Sequence, residues 1–288
     1  MLKTQSARRI GFVGIRSLST GKSTLTEYLQ DPNKLIVIPI TSRESFVYFK
    51  HSPTLLNKQS ALIRGENYVS DKCAKLWKRM LTSPKKINKK IVSMVQVFLD
   101  NIHWQETSLK TIPGENHLLK RIRGQNEQKV TAKQYLNLTT NNENTLEKIR
   151  MEPISVYYPG GSIIGRDKVE MQMTRLYENG IQNHKKYMWY CLLGVPLTLP
   201  LVLIPIIPNV PGFYLTYRAY CNWKAYMGAK HLKSMLRNKD TVLQFKQLEG
   251  YDSVVARGAS MDNIVSFLKI DEMSSHLNEA QRQETNKL

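Results

Sequence analysis

The sequence predicts a mainly α fold with a small β element, in a membrane protein with one proline-rich helical hairpin (one to two transmembrane segments) and soluble α(+β) flanking parts. Residues 187–217 contain no charged side chain, and their apolar residues would cover every face of a helix drawn through them. Short runs of β-branched and aromatic residues at 35–40, 46–49 and 153–161 are typical of strands. Apolar residues at helical spacing dominate much of the remaining chain.

The N-terminal stretch has the composition of a mitochondrial transit peptide. Residues 1–26 contain five basic residues, no acidic residue and scattered Ser and Thr. We place the transit peptide at residues 1–20. The tetrad GKST at 21–24 resembles the end of a phosphate-binding loop, but six residues separate it from Gly14 where the motif requires four. Nucleotide binding and enzymatic activity are therefore not expected.

Residues 34–121 are predicted to form a soluble α+β part in the mitochondrial matrix. Two strand-like runs begin this part, and apolar residues at helical spacing then predict amphipathic helices over 67–81 and from Pro84. A compact aromatic and polar block follows, but its His103 and Glu106 have no third metal ligand or nucleophile beside them. No metal site, no cofactor and no catalytic residue is therefore predicted.

The rest of the chain divides by composition into a linker, a membrane-associated region and a tail. Asn, Gln, Thr and Lys dominate residues 122–147, which predicts a polar linker. Residues 153–239 are predicted to be membrane-associated, with an apolar hairpin over 187–235 that a preceding helix enters directly. Residues 240–288 are soluble in character, and Asp262 is expected to cap a helix of this small C-terminal helical part.

The apolar run is long enough for one complete membrane span. At about 1.5 Å per residue, a helix over residues 187–207 would be roughly 30 Å long, which is the thickness of the hydrocarbon core. Prolines kink membrane helices and free carbonyls that can coordinate K⁺ or Na⁺. After a turn at 208–212, the aromatic and basic segment would either complete a hairpin or lie in the membrane interface.

The charge of the chain favours an anionic partner. Its 42 Lys and Arg residues against 23 Asp and Glu residues give a formal net charge of +19. No aromatic residues interleave with the lysines at 85–90, and no nucleic-acid-binding module is recognisable, so nucleic acid is not an expected partner. The cysteines at 73, 191 and 221 lack metal-ligand spacing and are expected to be small buried thiols.

The apolar run is bordered by basic residues. Lysines lie on both sides of the run, and no acidic residue occurs between Glu178 and Asp240. The positive-inside tendency then places both termini on the matrix side. Such a border suits an anionic membrane lipid, with cardiolipin as the obvious candidate. The expected lipid contacts are Lys185, Lys186, Lys224 and Lys230.

One segment resembles a known family. The run CLLGVPLTLPLVLIPIIPNVPGFYLTYRAYCNWKA, above all IPNVPGFYLTYRAY, resembles the signature of the fungal mitochondrial K⁺–H⁺ exchange-related proteins. KLIVIPITSRESFVYF, WQETSLKTIP and the small helical tail extend the likeness over most of residues 34–283. The resemblance implies an inner-membrane protein connected with potassium–proton exchange and osmotic control of the matrix. Carried over to this sequence, the motif residues are Pro205, Pro208, Asn209, Pro211, Tyr214, Tyr217 and Arg218.

The predicted function is a component of potassium/proton exchange across the mitochondrial inner membrane, with K⁺ and H⁺ as the candidate transported ions. Proton-coupled cation carriers generally place Asp, Glu or His inside the membrane, and the apolar run contains none of these. An accessory or oligomeric subunit, in a homo- or hetero-oligomer, is therefore favoured over a lone carrier. The alternative is a lipid-binding membrane scaffold or assembly factor without ion transport.

Overall fold

The computed structural model describes residues 21–52, 56–57, 61–84, 86, 89–90, 92–93, 97, 102–123, 129–131, 150–151, 153–160, 163–198, 200, 210–256 and 260–287. The predicted transit peptide at 1–20 lies outside these residues. So do most of the predicted helix from Pro84, most of the predicted linker at 122–147, and the motif residues Pro205, Pro208 and Asn209.

Two sheets organise the described part of the chain. In chain order the strands are β1 (Gly21–Ser23), β2 (Asn33–Pro39), β3 (Ser45–His51), β4 (Leu119–Arg123), β5 (Lys129–Thr131), β6 (Arg150–Met151), β7 (Ile154–Tyr158) and β8 (Leu243–Leu248). The larger sheet has five strands in the order β1-β8-β7-β2-β3, and the smaller has three in the order β5-β4-β6. In the larger sheet β2 and β3 are antiparallel, whereas the other neighbouring strands are parallel.

Helices cover both faces of the larger sheet. They are α1 (Leu25–Gln30), α2 (Ala61–Leu81), α3 (Trp104–Lys110), α4 (Arg166–Leu197), α5 (Val210–Arg237), α6 (Lys239–Val242), α7 (Tyr251–Ala256), α8 (Met261–Leu268) and α9 (Ser274–Thr285), with a 3₁₀ turn at Asp271–Met273. Successive strand residues point to opposite faces. Leu35 and Val37 of β2 therefore pack beneath α3, α4 and α5, whereas Ile36 and Ile38 pack beneath α1, α7, α8 and α9.

The predicted fold class is wrong, because the chain is an α/β protein built on a mixed sheet. Among the residues that the structure describes, no helix combines the length and the apolar composition that crossing a membrane requires. The apolar run does not continue as one helix: α4 ends at Leu197, and α5 begins at Val210. The apolar end of α4, from residue 187, is about 16 Å long at 1.5 Å per residue. That is about half of the hydrocarbon thickness.

α4 and α5 pack along each other as an antiparallel helical hairpin. Small residues permit this packing, since Gly180 of α4 faces Ala229 of α5, and Gly194 faces Leu215 further along the pair. α5 also approaches the end of α3, at Gly228. The hairpin therefore exists. Its half nearest the sheet, formed by the first turns of α4 and the last turns of α5, belongs to the core of the α/β body.

Replacing Gly228 with alanine should destabilise the protein, because the new Cβ would lie 2.1 Å from the carbonyl oxygen of Leu109 and 2.9 Å from that of Ile112. Backbone atoms cannot move aside as a side chain can. We expect the free energy of unfolding in urea to fall by about 1–3 kcal/mol, the usual cost of overpacking.

Gly65 of α2 provides the matched control for this substitution. It is also a helical glycine, but nothing lies within 4 Å of its added Cβ. Gly65→Ala should be neutral or stabilising by up to about 1 kcal/mol, because alanine has the higher helix propensity. Equal stabilities for the two variants would contradict the close approach of α5 to α3.

Candidate functional site

The candidate site lies where α3, α4 and α5 meet. Arg218 of α5 donates two parallel hydrogen bonds to Glu106 of α3, at 2.7 Å from Nη1 to Oε1 and 2.8 Å from Nη2 to Oε2. The Glu106 side chain is 3% exposed and that of Arg218 is 17% exposed. Burial alone would lower the pKa of Arg218, but the hydrogen bonds and the charge of Glu106 raise that pKa above its ordinary value. The guanidinium is therefore charged, and its pair with the Glu106 side chain is bidentate.

α3 is fixed to the sheet by its own polar residues, and this fixes Glu106. The helix begins after His103, whose ring nitrogen accepts a hydrogen bond from the backbone of Gln105. The Ser108 hydroxyl donates to the carbonyl of Val47 and accepts from its N–H, at 2.8 and 3.0 Å. These bonds satisfy backbone groups of β3, which is an edge strand of the sheet. Glu106 thus stands in the first turn of a firmly held helix, where a carboxylate is favourable.

A second buried polar pair joins α4 to α5. His184 Nδ1 lies 2.9 Å from Oδ1 of Asn222, and the Asn222 amide nitrogen donates to the carbonyl of Arg218 at 2.8 Å. The second bond turns the amide oxygen toward His184, so Nδ1 of the imidazole carries the hydrogen. Burial lowers the pKa of His184, and the Asn222 hydrogen bond and the Glu106 charge offset this only in part. His184 is therefore neutral near pH 7.

Glu106, His184, Arg218 and Asn222 together form what we call the hairpin clamp. Lys110 adds a longer contact, with Nζ 3.7 Å from Oε1 of Glu106. The clamp connects three helices through polar groups that burial strengthens. What the arrangement does chemically is to hold the helical hairpin in one orientation against the sheet.

A separate contact joins the hairpin to α2. Glu66 of α2 accepts hydrogen bonds from the Tyr220 hydroxyl at 2.5 Å and from Lys224 Nζ at 2.6 Å. Burial would raise the pKa of Glu66, but the bonds from Lys224 and Tyr220 lower it below its ordinary value. Lys224, which the sequence suggested as a lipid contact, is therefore engaged by a carboxylate of the same chain.

The other predicted site residues are dispersed. Lys185 and Lys186 are exposed on α4, with the Lys186 ammonium 5.6 Å from the ring of Tyr190. Lys230 is exposed on α5, beside Tyr226. Pro211, Tyr214 and Tyr217 lie in the first turns of α5, and the charges of Glu106 and Arg218 act on the hydroxyls of Tyr214 and Tyr217. In the described part of the chain, no group of three or more His, Cys, Asp or Glu side chains is arranged to hold a metal ion.

Beyond the clamp, the hairpin exposes large apolar side chains. We call this surface the hairpin end: residues 185–197 of α4 and 211–220 of α5, apart from the clamp residue Arg218. Monomeric soluble proteins rarely expose large contiguous apolar patches unless they bind something. The exposed apolar residues of the hairpin end are Tyr187, Trp189, Tyr190, Leu192, Leu193, Leu197, Phe213, Tyr217 and Tyr220.

Comparison with known proteins identifies the family. Residues 34–236 match the family described as mitochondrial K⁺–H⁺ exchange-related. The chain belongs to this family. An uncharacterized protein of Saccharomyces cerevisiae is 45% identical over 310 residues, covering 96% of this chain and 94% of that protein. An uncharacterized protein of Schizosaccharomyces pombe is 44% identical over 63 residues, 22% of this chain and 28% of that protein. No solved structure matches the chain.

The resemblance drawn from IPNVPGFYLTYRAY is thereby confirmed, and the family description relates the chain to the mitochondrion and to potassium–proton exchange. The segment that matches the K⁺–H⁺ exchange-related family contains the whole hairpin clamp and the hairpin end. It excludes β1, α1, β8 and the helices that follow β8. The family segment is therefore centred on the hairpin and its attachment to the sheet.

Sequence reasoning found Arg218 through the motif but missed its partner. Glu106 was considered only for metal binding or catalysis, together with His103. The signal that could have found the pair is charge: Arg218 lies within a segment that contains no acid, between Glu178 and Asp240. A buried arginine needs a carboxylate, so the acid had to come from elsewhere in the chain.

Proposed function

We propose that the protein is an accessory component of potassium–proton exchange across the mitochondrial inner membrane, acting in a hetero-oligomer and not as the carrier. The supporting observation is the ion pair that Arg218, the one charged residue of the family motif, makes with Glu106. Its guanidinium and the Glu106 carboxylate satisfy each other in a buried bidentate pair. A carrier needs an acid or histidine free to exchange protons for K⁺ inside the membrane, whereas these groups fix the position of the hairpin.

In this proposal, residues 1–20 direct import and the α/β body lies on the matrix side of the inner membrane. The first and the last described elements both belong to that body, because β1 is a strand of the larger sheet and the helices after β8 pack on that sheet. The hairpin end would be the part presented to the inner membrane or to a protein embedded in it.

The proposal includes no enzymatic reaction. Gly21–Ser23, which resembled the end of a phosphate-binding loop, forms strand β1 and pairs in parallel with β8. An extended strand points successive N–H groups in opposite directions, whereas a phosphate-binding loop turns them toward one point. The helix that follows begins after Thr24, with Tyr28 buried in the core.

Two measurements test the proposal together. Mitochondria from cells that lack the protein should swell slowly in potassium acetate, a medium in which swelling requires K⁺–H⁺ exchange, and the full chain should restore the rate. The purified protein, reconstituted alone into potassium-loaded liposomes, should give no exchange. Exchange by the purified protein would make it the carrier. Normal swelling without the protein would remove it from the exchange system and favour a lipid-binding scaffold or assembly factor.

A further inference from the structure

We infer that the hairpin end binds a lipid bilayer that carries anionic lipid, by inserting peripherally into one leaflet. The inference rests on the proposed function for its setting and deepens it, because it names the surface to which the accessory component binds. The occupant is the bilayer itself, recognised by its negative surface and its apolar interior.

The order of residues along α4 matches the order of layers in one leaflet. Lys185 and Lys186 come first, followed by the exposed aromatic residues Tyr187, Trp189 and Tyr190. Lysine suits the phosphate layer, and Tyr and Trp concentrate at headgroup depth. The exposed aliphatic residues come last, nearest the end of the helix: Leu192, Leu193 and Leu197.

The length of the hairpin end also fits one leaflet. From Lys186 to Leu197, α4 rises about 16 Å at 1.5 Å per residue, and half of a hydrocarbon core is about 15 Å. Phe213, on the facing helix α5, is exposed at the same end of the hairpin. Two helices therefore place apolar side chains at matching depth. The described residues of this surface are suited to anchoring in the interface.

The charge of the hairpin favours a membrane over a second copy of the chain. The segment between Glu178 and Asp240 contains basic residues and no acidic one. Two copies docked through their hairpin ends would bring two basic segments without any acidic residue together, and like charges oppose such a contact. An anionic membrane surface attracts them. Because Lys224 is paired with Glu66, Lys185 and Lys186 are the lysines assigned to lipid headgroups.

Co-sedimentation of the full chain with vesicles tests the inference. Binding to vesicles of phosphatidylcholine with cardiolipin should exceed binding to phosphatidylcholine alone. Leu193→Glu should weaken binding roughly tenfold or more, because a charge would replace an apolar side chain that inserts into the bilayer. Leu193 is 67% exposed, so its replacement should leave folding unchanged. Leu81→Glu on α2 is the matched control, since Leu81 is 53% exposed and lies outside the hairpin end. It should bind like the wild type.

Two further variants locate the contact. Lys185→Glu combined with Lys186→Glu should remove the preference for cardiolipin. Brominated lipids should quench the fluorescence of Trp189, and Trp189→Phe should abolish most of the quenching, because Trp104 is buried, whereas Trp77 on α2 and Trp223 on α5 lie outside the hairpin end. The inference is overturned if wild type fails to bind cardiolipin vesicles, or if Leu193→Glu binds equally well. A concentration-dependent dimer that Leu193→Glu dissociates would instead assign the surface to a second copy.

Failure of this inference can be distinguished from failure of the proposed function. If Leu193→Glu loses vesicle binding but restores exchange in mitochondria that lack the protein, the hairpin end does not serve exchange through the bilayer, and the accessory role stands. If vesicle binding behaves as expected but mitochondria without the protein exchange normally, the accessory role falls and the bilayer-binding surface stands.

Discussion

Replacing Arg218 with methionine should lower the free energy of unfolding by about 3–5 kcal/mol, because it leaves the Glu106 carboxylate buried without its partner. Glu106 has 3% of its side chain exposed, and both of its oxygens accept from Arg218. Lys110 cannot replace the guanidinium, since it approaches only one oxygen, at 3.7 Å. Glu106→Leu should lower the free energy of unfolding by a similar amount, because it leaves the largely buried Arg218 guanidinium without a carboxylate partner. Urea unfolding followed by circular dichroism measures both.

The double variant Glu106→Leu, Arg218→Met tests whether the charges of the pair are needed or only the packing of the two side chains. Apolar pairs that replace a buried ion pair are often neutral or stabilising, so the double variant should recover to within about 2 kcal/mol of the wild type. If the clamp only positions the hairpin, the double variant should also restore swelling of mitochondria that lack the protein. A stable double variant without exchange would show that the Arg218 charge itself is required, against the positioning role.

Arg282 supplies a control with the same chemistry on the surface. It makes two hydrogen bonds to the Glu279 carboxylate, at 2.9 and 2.8 Å, but its side chain is 61% exposed. Exposed ion pairs contribute about 0–1 kcal/mol, so Arg282→Met should leave the stability almost unchanged. Comparable losses for Arg218 and Arg282 would mean that the clamp is not buried in solution.

Local patterns in the sequence predicted several elements of the fold. Runs of β-branched and aromatic residues indicated β2, β3 and β7, and all three are confirmed. The helix predicted to lead directly into the apolar run is confirmed as α4, in which Val169, Met173 and Leu176 are buried. The C-terminal helix α8 is also confirmed, although its N-cap is Ser260 and not Asp262. These signals depend on neighbours within one or two turns, which a sequence displays directly.

The sheet order was not predictable in this way. β8 was assigned to a helical tail, yet it alternates buried Leu243 and Phe245 with half-buried Gln244 and Lys246. Its position between β7 and β1 depends on parallel pairing across long stretches of chain, and periodicity carries no information about such pairing. The burial of Lys34 was not predictable from local patterns either. Its ammonium lies 3.8 Å from the ring of Tyr28, and burial lowers its pKa to about 8.

The prediction of a membrane-spanning helix failed because an apolar run was counted as one helix. α4 contains Pro196 in its last turn, and the backbone of the capping residue Thr198 donates to the carbonyls of Pro196 and Val195. The described apolar residues are thereby divided between the ends of two helices. Hydropathy summed along a sequence does not register where a helix ends, so it supported a span that the described helices do not form.

A chain restricted to residues 34–236, the segment that matches the family, should show no cooperative unfolding transition. It would lack β8, which pairs with β7 from Ile154 to Tyr158 and separates β7 from β1. Every residue of β7 is buried. Without β8, this strand would become an exposed apolar edge, which favours aggregation over folding.

The same cut removes most of the second core cluster, which consists of the buried residues packed with Ile36 and Ile38 on one face of the larger sheet. Loss of one large buried apolar side chain typically costs about 2–5 kcal/mol, whereas the whole stability of a domain is about 5–15 kcal/mol. The cluster residues that would be lost are Tyr28, Leu248, Tyr251, Met261, Ile264, Val265, Leu268, Ile270, Met273, Leu277 and Ala280. Losing all of these side chains would cost more free energy than the whole stability of a domain. Folding of residues 34–236 therefore depends on elements from both ends of the chain.

Thermal melts followed by circular dichroism decide between a dependent segment and an independent domain. A chain that ends at Thr285 is the control, because it retains β8 and every buried residue of α9. It should melt cooperatively, within a few degrees of the full chain. A sigmoidal melt of the 34–236 chain would mean that the clamp and the hairpin fold without the rest of the sheet. The expected outcome instead makes the flanking elements part of the functional unit, in keeping with the S. cerevisiae relative, which aligns over 96% of this chain.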